Sequence, residues 1–216
     1  MSLSLYGYWR SSATYRVRIA LNLKQLDFQY FPVHLVKNGG EQNAEDYLRL
    51  NPNALVPSFV DDDEDFILNQ SLSIIEYLDE KYPEPLKLMP EHALDKAMVR
   101  AMAQDIACDI QPLANLRVLN ALEVFGCKSE QRSVWAKQWI EKGFHAIEKR
   151  LQTRAGKFCF GFDVTLADIV LVPQVYNAER FGVEMANFPL ISKVTENCRQ
   201  LEAFKLAAPE NQPDAQ

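Results

Sequence analysis

The 216 residues carry 23 basic and 29 acidic side chains, a formal net charge of -6, and 48% are hydrophobic. That balance argues against a general nucleic-acid binder, although Arg10, Arg16 and Arg18 lie close enough in sequence to form a local basic pocket. The N-terminus lacks an apolar signal-peptide core, and the longest apolar runs, such as Ile169-Val170-Leu171-Val172, are far too short for a bilayer, so the expectation is a cytoplasmic protein without a membrane partner. The four cysteines, Cys108, Cys127, Cys159 and Cys198, make no C-x-x-C pair, and the three histidines are equally scattered. Reduced thiols and no metal site follow.

Taken along the chain, residues 3–8 read as a short strand and about 12–23 as a helix, with Val17, Ala20 and Leu21 at helical spacing. A strand at about 28–33 follows as in a βαβ unit. Strands at about 56–60 and 66–68 flank the acidic run Asp61-Asp62-Asp63-Glu64-Asp65 as in a hairpin, and a helix at about 71–82 ends at Pro83-Glu84-Pro85. The acidic run lacks the alternating spacing and glycine of a calcium loop and reads as a solvated turn. Beyond Pro90 the pattern turns to amphipathic helices at roughly 92–121, bent near Gln111-Pro112, then 130–152, 165–179 and 190–205. Thr165-Leu166-Ala167-Asp168 has capping-box spacing and reads as a folding signal. These elements predict an α/β domain over residues 1–83, a linker over 84–91, and an all-α domain over 92–216 whose tail, Ala207 to Gln216, is poorly ordered at its end.

Chemistry concentrates in the first domain. Ser11 and Ser12 sit at a strand-to-helix junction, where unpaired amides and the helix dipole attract an anion or thiolate. Val56-Pro57 begins a strand; the sequence leaves that bond cis or trans, and only the cis form lets the Val56 backbone pair with an extended, peptide-like ligand. Gln70-Ser71 opens a second helix, bringing amides, a hydroxyl and a side-chain amide toward a carboxylate. The loop Lys37-Asn38-Gly39-Gly40-Glu41-Gln42 reads either as a connection or as a carrier of Gln42 to a ligand's edge.

The run Ser11-Ser12-Ala13-Thr14-Tyr15-Arg16-Val17-Arg18-Ile19-Ala20-Leu21 resembles the zeta-class signature of the glutathione transferases, as does Asn69-Gln70-Ser71-Leu72-Ser73-Ile74-Ile75-Glu76-Tyr77-Leu78. Ile110-Gln111-Pro112-Leu113-Ala114-Asn115-Leu116 and Leu171-Val172-Pro173-Gln174-Val175-Tyr176-Asn177-Ala178-Glu179-Arg180-Phe181 extend the resemblance over essentially the whole chain. It implies a thioredoxin-like N-terminal domain, a C-terminal helical bundle, a homodimer, and glutathione as cofactor. The implied activity is cis-trans isomerisation of maleylacetoacetate, a small carboxylate substrate, by reversible addition of the glutathione thiolate.

Residue by residue, the resemblance implies Ser11, with Ser12 beside it, at the sulfur and Val56 at the cysteinyl backbone. Gln70 and Ser71 fall to the γ-glutamyl carboxylate, Gln42 to the glycyl end, and Gln111 and Asn115 to second-domain positions lining the site. Arg16 and Arg180 are the cationic candidates for catalysis, whereas Arg18 reads as structural or dimer-related. One departure stands out: the class's usual cysteine is Ala13, so glutathione brings the only sulfur expected at the junction. Maleylpyruvate isomerisation and transfer to α-halo acids use the same thiolate and stand as alternatives. A non-catalytic binding protein would not need Ser11, Gln70 and Ser71.

Overall fold

The computed structural model describes residues 2–216. Along the chain the elements are β1 (Leu3–Gly7), α1 (Ser12–Leu23), β2 (Gln29–Pro32), α2 (Glu45–Leu50), β3 (Ser58–Asp61), β4 (Phe66–Asn69), α3 (Ser71–Lys81), α4 (Ala93–Gln104), α5 (Leu116–Val124), α6 (Ser129–Arg154), α7 (Leu166–Arg180), α8 (Pro189–Arg199) and α9 (Glu202–Ala207). They form two units, one holding the chain up to Lys87 together with Leu201–Gln216, the other holding Leu88–Gln200.

The first unit is thioredoxin-like. Its sheet has the order β2-β1-β3-β4, with β1 and β2 parallel and β3 antiparallel to both β1 and β4, so the βαβ crossover and the hairpin are as expected. The apolar side chains of α1 explain its central place: Val17, Ile19, Ala20 and Leu21 are all 0% exposed. The helix lies so close to β1 that a Cβ on Gly7 would sit 2.2 Å from the Thr14 methyl, which requires glycine there. At its far end, buried Lys24 donates to Asp79 of α3 and to the Leu86 carbonyl, each over 2.5 Å. A buried ammonium is tolerable only when paired in this way.

Glu45–Leu50, to which the sequence reading assigns no element, forms α2. The C-terminal segment, expected in the helical domain with a poorly ordered end, packs in the first unit instead, with α9 against α1. Its polar residues hold it: Asn211 donates to the Lys205 carbonyl, and Gln212 to the carbonyls of Leu206 and Ala208, satisfying acceptors that the end of α9 leaves open.

The second unit is all-helical around α7, where every residue from Leu166 to Val175 is buried. The single long helix expected over 92–121 is broken into α4, a π-helical stretch Asp105–Ile110, a 3-10 turn Gln111–Ala114, and α5. Pro112 has no amide to donate and its ring crowds the preceding turn, so the α-helical ladder cannot run through. Gly143 of α6 lets this irregular stretch approach, because a Cβ there would meet Ile110 Cδ1 at 2.3 Å. The expected helix over 190–205 likewise divides into α8 and α9. Asp168 of α7 accepts from the amides of Thr165 and Cys159, the folding role its spacing predicts. Among the described residues no helix is long and apolar enough to cross a membrane.

Candidate active site

The β1-to-α1 connection is a tight turn closed by the Ser11 amide donating to the Tyr8 carbonyl at 2.9 Å, with Trp9 and Arg10 at its corners. Ser11 is the N-cap of α1 in extended conformation, and its Oγ accepts from the Thr14 amide at 3.2 Å. The cap occupies an acceptor lone pair of the hydroxyl, leaving its proton to donate to an external anion. Ser12 occupies the first helical position, and both serines are partly exposed, as is Ala13. Cap and anion site are thus compatible roles for the same side chain.

Val56 lies just before β3, and its bond to Pro57 is cis. Two residues of α2 and its end, neither anticipated from the sequence, fix the backbone beside it. Tyr47 donates its hydroxyl to the Leu55 carbonyl at 2.6 Å, and the Asn51 side-chain amide donates to the same oxygen at 2.7 Å. Tyr47 also pairs with the buried Ser58 hydroxyl at 3.0 Å. Burial pushes the Tyr47 phenol up to about 12, with the Ser58 and Asn51 hydrogen bonds pulling the other way, so it stays a donor. Their four-residue separation, an aromatic followed by an asparagine, was the available signal.

Gln42 folds back over Gly40, where an added Cβ would meet its amide at 2.5 Å. Its Oε1 is buried and has no hydrogen-bond partner among the described residues. Gln70 precedes α3 with φ 77 and ψ 111, a strained conformation for a side-chain-bearing residue, and its side chain makes no cap bond to the helix. Ser71 is buried at the first position of α3 and accepts from Arg16 Nη1 at 3.2 Å.

Arg16, 1% exposed, reaches from α1 to the Ser71 hydroxyl of α3. Arg18 is as deeply buried and donates to the carbonyls of Trp9 and Ala207, in keeping with its structural reading.

In the second unit, Gln111 begins the 3-10 turn and Asn115 caps α5, accepting from the Arg117 amide at 3.1 Å. Arg180 is exposed at the last position of α7, with Nη1 3.4 Å from Asn177 Oδ1. Among the described residues no group of three His, Cys, Asp or Glu side chains has the arrangement of a metal site.

Residues 5–86 match the model of the glutathione S-transferase N-terminal domain, in line with a thioredoxin-like unit that carries the Ser11, Val56 and Ser71 features. The fold and this match define a glutathione transferase. The chain is 51% identical over 216 residues to a probable maleylacetoacetate isomerase of Vibrio cholerae serotype O1, covering 100% of this chain and 99% of that one. It is also similar to the holo structure of a maleyl pyruvate isomerase, a bacterial zeta-class enzyme, with a TM-score of 0.93, 42% identity, and 99% and 100% of the two chains covered. A maleylacetoacetate isomerase from Anaeromyxobacter dehalogenans 2CP-1, solved with bound dicarboxyethyl glutathione and citrate, matches with a TM-score of 0.87 at 37% identity, over 100% of this chain and 94% of that one. The chain belongs to the zeta-class glutathione transferases, the family of the maleylacetoacetate isomerases.

Proposed function

We propose that this chain is a glutathione-dependent cis-trans isomerase that converts maleylacetoacetate to fumarylacetoacetate. The observation that carries the reading is the Ser11 hydroxyl at the start of α1, capped through its oxygen with its proton left to donate. The residues present fit glutathione: a hydroxyl and helix N-terminus for sulfur, an orphaned buried Gln42 oxygen, and a strained Gln70 before an uncapped α3. Glutathione supplies the thiol that, as thiolate, adds to the cis double bond, leaves a single bond able to rotate, and departs to give the trans isomer.

The chain's own groups make that thiol reactive and hold its carrier. A free thiol near pKa ~8.5 is mostly protonated at neutral pH. A hydrogen bond to a charged partner contributes about 1.5–3 kcal/mol, roughly one to two pKa units, so the Ser11 donor with the α1 dipole brings the thiolate into the working range. The Val56 backbone pairs with the cysteinyl unit, Gln70 and Ser71 hold the γ-glutamyl carboxylate, and Gln42 holds the glycyl end. In the second unit, Arg180 is the candidate for a substrate carboxylate, and Gln111 and Asn115 are the candidates for binding glutathione. The dicarboxyethyl glutathione in the Anaeromyxobacter enzyme is a thioether of glutathione with a dicarboxylate, the kind of adduct this chemistry makes.

The deciding experiment assays purified protein on maleylacetoacetate, maleylpyruvate and dichloroacetate, each with and without glutathione. Strict glutathione dependence with maleylacetoacetate turned over fastest is the expected result. Turnover in the absence of glutathione would reject the mechanism.

The reading extends to a homodimer in the cytoplasm. Phe66 and Ile67 on the edge strand β4 are 37% and 44% exposed, apolar surface that a second copy would cover. The four cysteines are all free thiols, which suits a reducing compartment. Sedimentation at micromolar concentration checks the assembly, with twice the 24.7 kDa chain mass expected and the single-chain mass excluding it.

A further inference from the structure

The turn that presents Ser11 is clamped by the opposite end of the chain. Trp9 stands at its first corner, where the hydrogen bond that closes the turn uses neither its N–H nor its C=O. Both are taken by side chains from outside the turn. Asp214 Oδ2 accepts the Trp9 amide at 3.0 Å, and Arg18 Nη2 donates to the Trp9 carbonyl at 2.9 Å. Tyr30 on β2 donates to the same carboxylate oxygen at 3.4 Å. Arg18 in turn holds the Ala207 carbonyl at the end of α9 over 3.0 Å, and Asn22 of α1 holds the Ala203 carbonyl, also over 3.0 Å. The last residues are therefore tied to α1 at several points along their course, and the carboxylate they deliver lies two residues from the serine.

We propose that Asp214 is a positioning residue, which fixes the Trp9-Arg10-Ser11 backbone so that the Ser11 hydroxyl and the first amides of α1 meet the glutathione thiol in one orientation. Removing the carboxylate leaves the Trp9 amide without its acceptor in a poorly solvated setting, where an unmet donor is costly, and the turn relaxes to find another. Shifts of about 1 Å in a reacting group cost up to roughly a hundredfold in rate, so a contact that never touches substrate can govern turnover. This inference rests on the assignment of Ser11 to the sulfur.

The test compares Asp214→Ala, Asp214→Asn and a deletion of residues 213–216 with Ser11→Ala, all as full dimeric or monomeric protein as purified. Thiolate absorbance of bound glutathione is titrated, and kcat and KM for glutathione are measured beside thermal unfolding. The Ala variant and the deletion are expected to raise the bound-thiol pKa by about half a unit or more and to lower kcat about tenfold. The Asn variant, whose side-chain oxygen still accepts the Trp9 amide, recovers most of both. A shift in Ser11→Ala with none in Asp214→Ala or the deletion overturns the positioning role and leaves the Ser11 assignment intact, as does a loss confined to thermal stability. Equal losses in the Ala and Asn variants overturn the hydrogen-bond basis. No shift in Ser11→Ala overturns the Ser11 assignment, and this inference with it.

Discussion

Arg16 Nη1 donates to the Ser71 hydroxyl over 3.2 Å, joining α1 to the first turn of α3, the two helices whose N-termini carry the candidate glutathione contacts. By occupying one acceptor position of the Ser71 oxygen, Arg16 limits which way that hydroxyl's proton points. Arg16→Met is expected to raise KM for glutathione about tenfold while changing kcat less, because a hydrogen bond from a charged donor contributes about 1.5–3 kcal/mol. Steady-state kinetics with glutathione varied at saturating substrate separate the two. A fall in kcat with KM unchanged would place Arg16 in the chemical step.

Ser11→Ala removes both a helix cap and the proposed thiolate donor, and the two losses are read by different measurements. The cap costs about 1 kcal/mol of stability. The donor, like other positioned stabilisers of developing charge, is expected to cost one to three orders of magnitude in turnover, roughly. Turnover unchanged at saturating glutathione would shift the assignment to Ser12, whose Ala variant is the control.

The sequence made the sheet, α1, α3 and the helical second unit legible because each has apolar residues at a single clear period. The Ser11 and Ser71 positions were legible for a related reason, as hydroxyls just ahead of such periods. α2 was not, because Glu45–Leu50 is six residues long and begins after Ala44, which offers no capping side chain. Tyr47 and Asn51 were lost with it. The placement of Asp214 was hidden more deeply: the pairing of Trp9 with Asp214 spans 205 residues, and the polar tail has no periodicity that would reveal a folded course. Arg16 and Arg18 look alike as neighbours in an arginine-studded helix, and only their burial distinguishes them from surface cations.

The cysteines divide by environment. Cys108 is exposed and Cys127 partly so, whereas Cys159 and Cys198 are buried. Burial, and then the neighbouring Asp168 carboxylate, push both buried thiols well above their ordinary range, which removes the thiolate that reacts. A disulfide-exchange reagent at neutral pH is expected to titrate only Cys108 and Cys127 in the native protein, and all four thiols in denaturant. Since position 13 is alanine, alkylation of the accessible thiols should leave isomerase activity intact, and Ala13→Cys should make it sensitive, because a thiol in the first turn of α1 is acidified by the helix N-terminus. Rapid inactivation of the unaltered protein would place a functional thiol outside the proposed site.

Tyr47 ties the stability of the site to alkaline pH. Its hydroxyl must stay protonated to donate to the Leu55 carbonyl beside Val56, and burial raises its pKa from 10.0 to about 12. Between those values the folded chain holds a proton that the unfolded chain has released. The stabilisation is fully present below pH 10.0 and is lost as pH climbs through about 12. Tyr47→Phe removes this dependence at the cost of the hydrogen bond, leaving Asn51 alone on the carbonyl. Thermal unfolding across that window is expected to show the unaltered protein losing about 5–9 °C more in Tm than the Phe variant. At neutral pH the Phe variant should show a KM for glutathione raised severalfold with kcat little changed, since the Val56 backbone would be less firmly presented. Parallel alkaline slopes in the two proteins would show that the Tyr47 proton is not linked to folding.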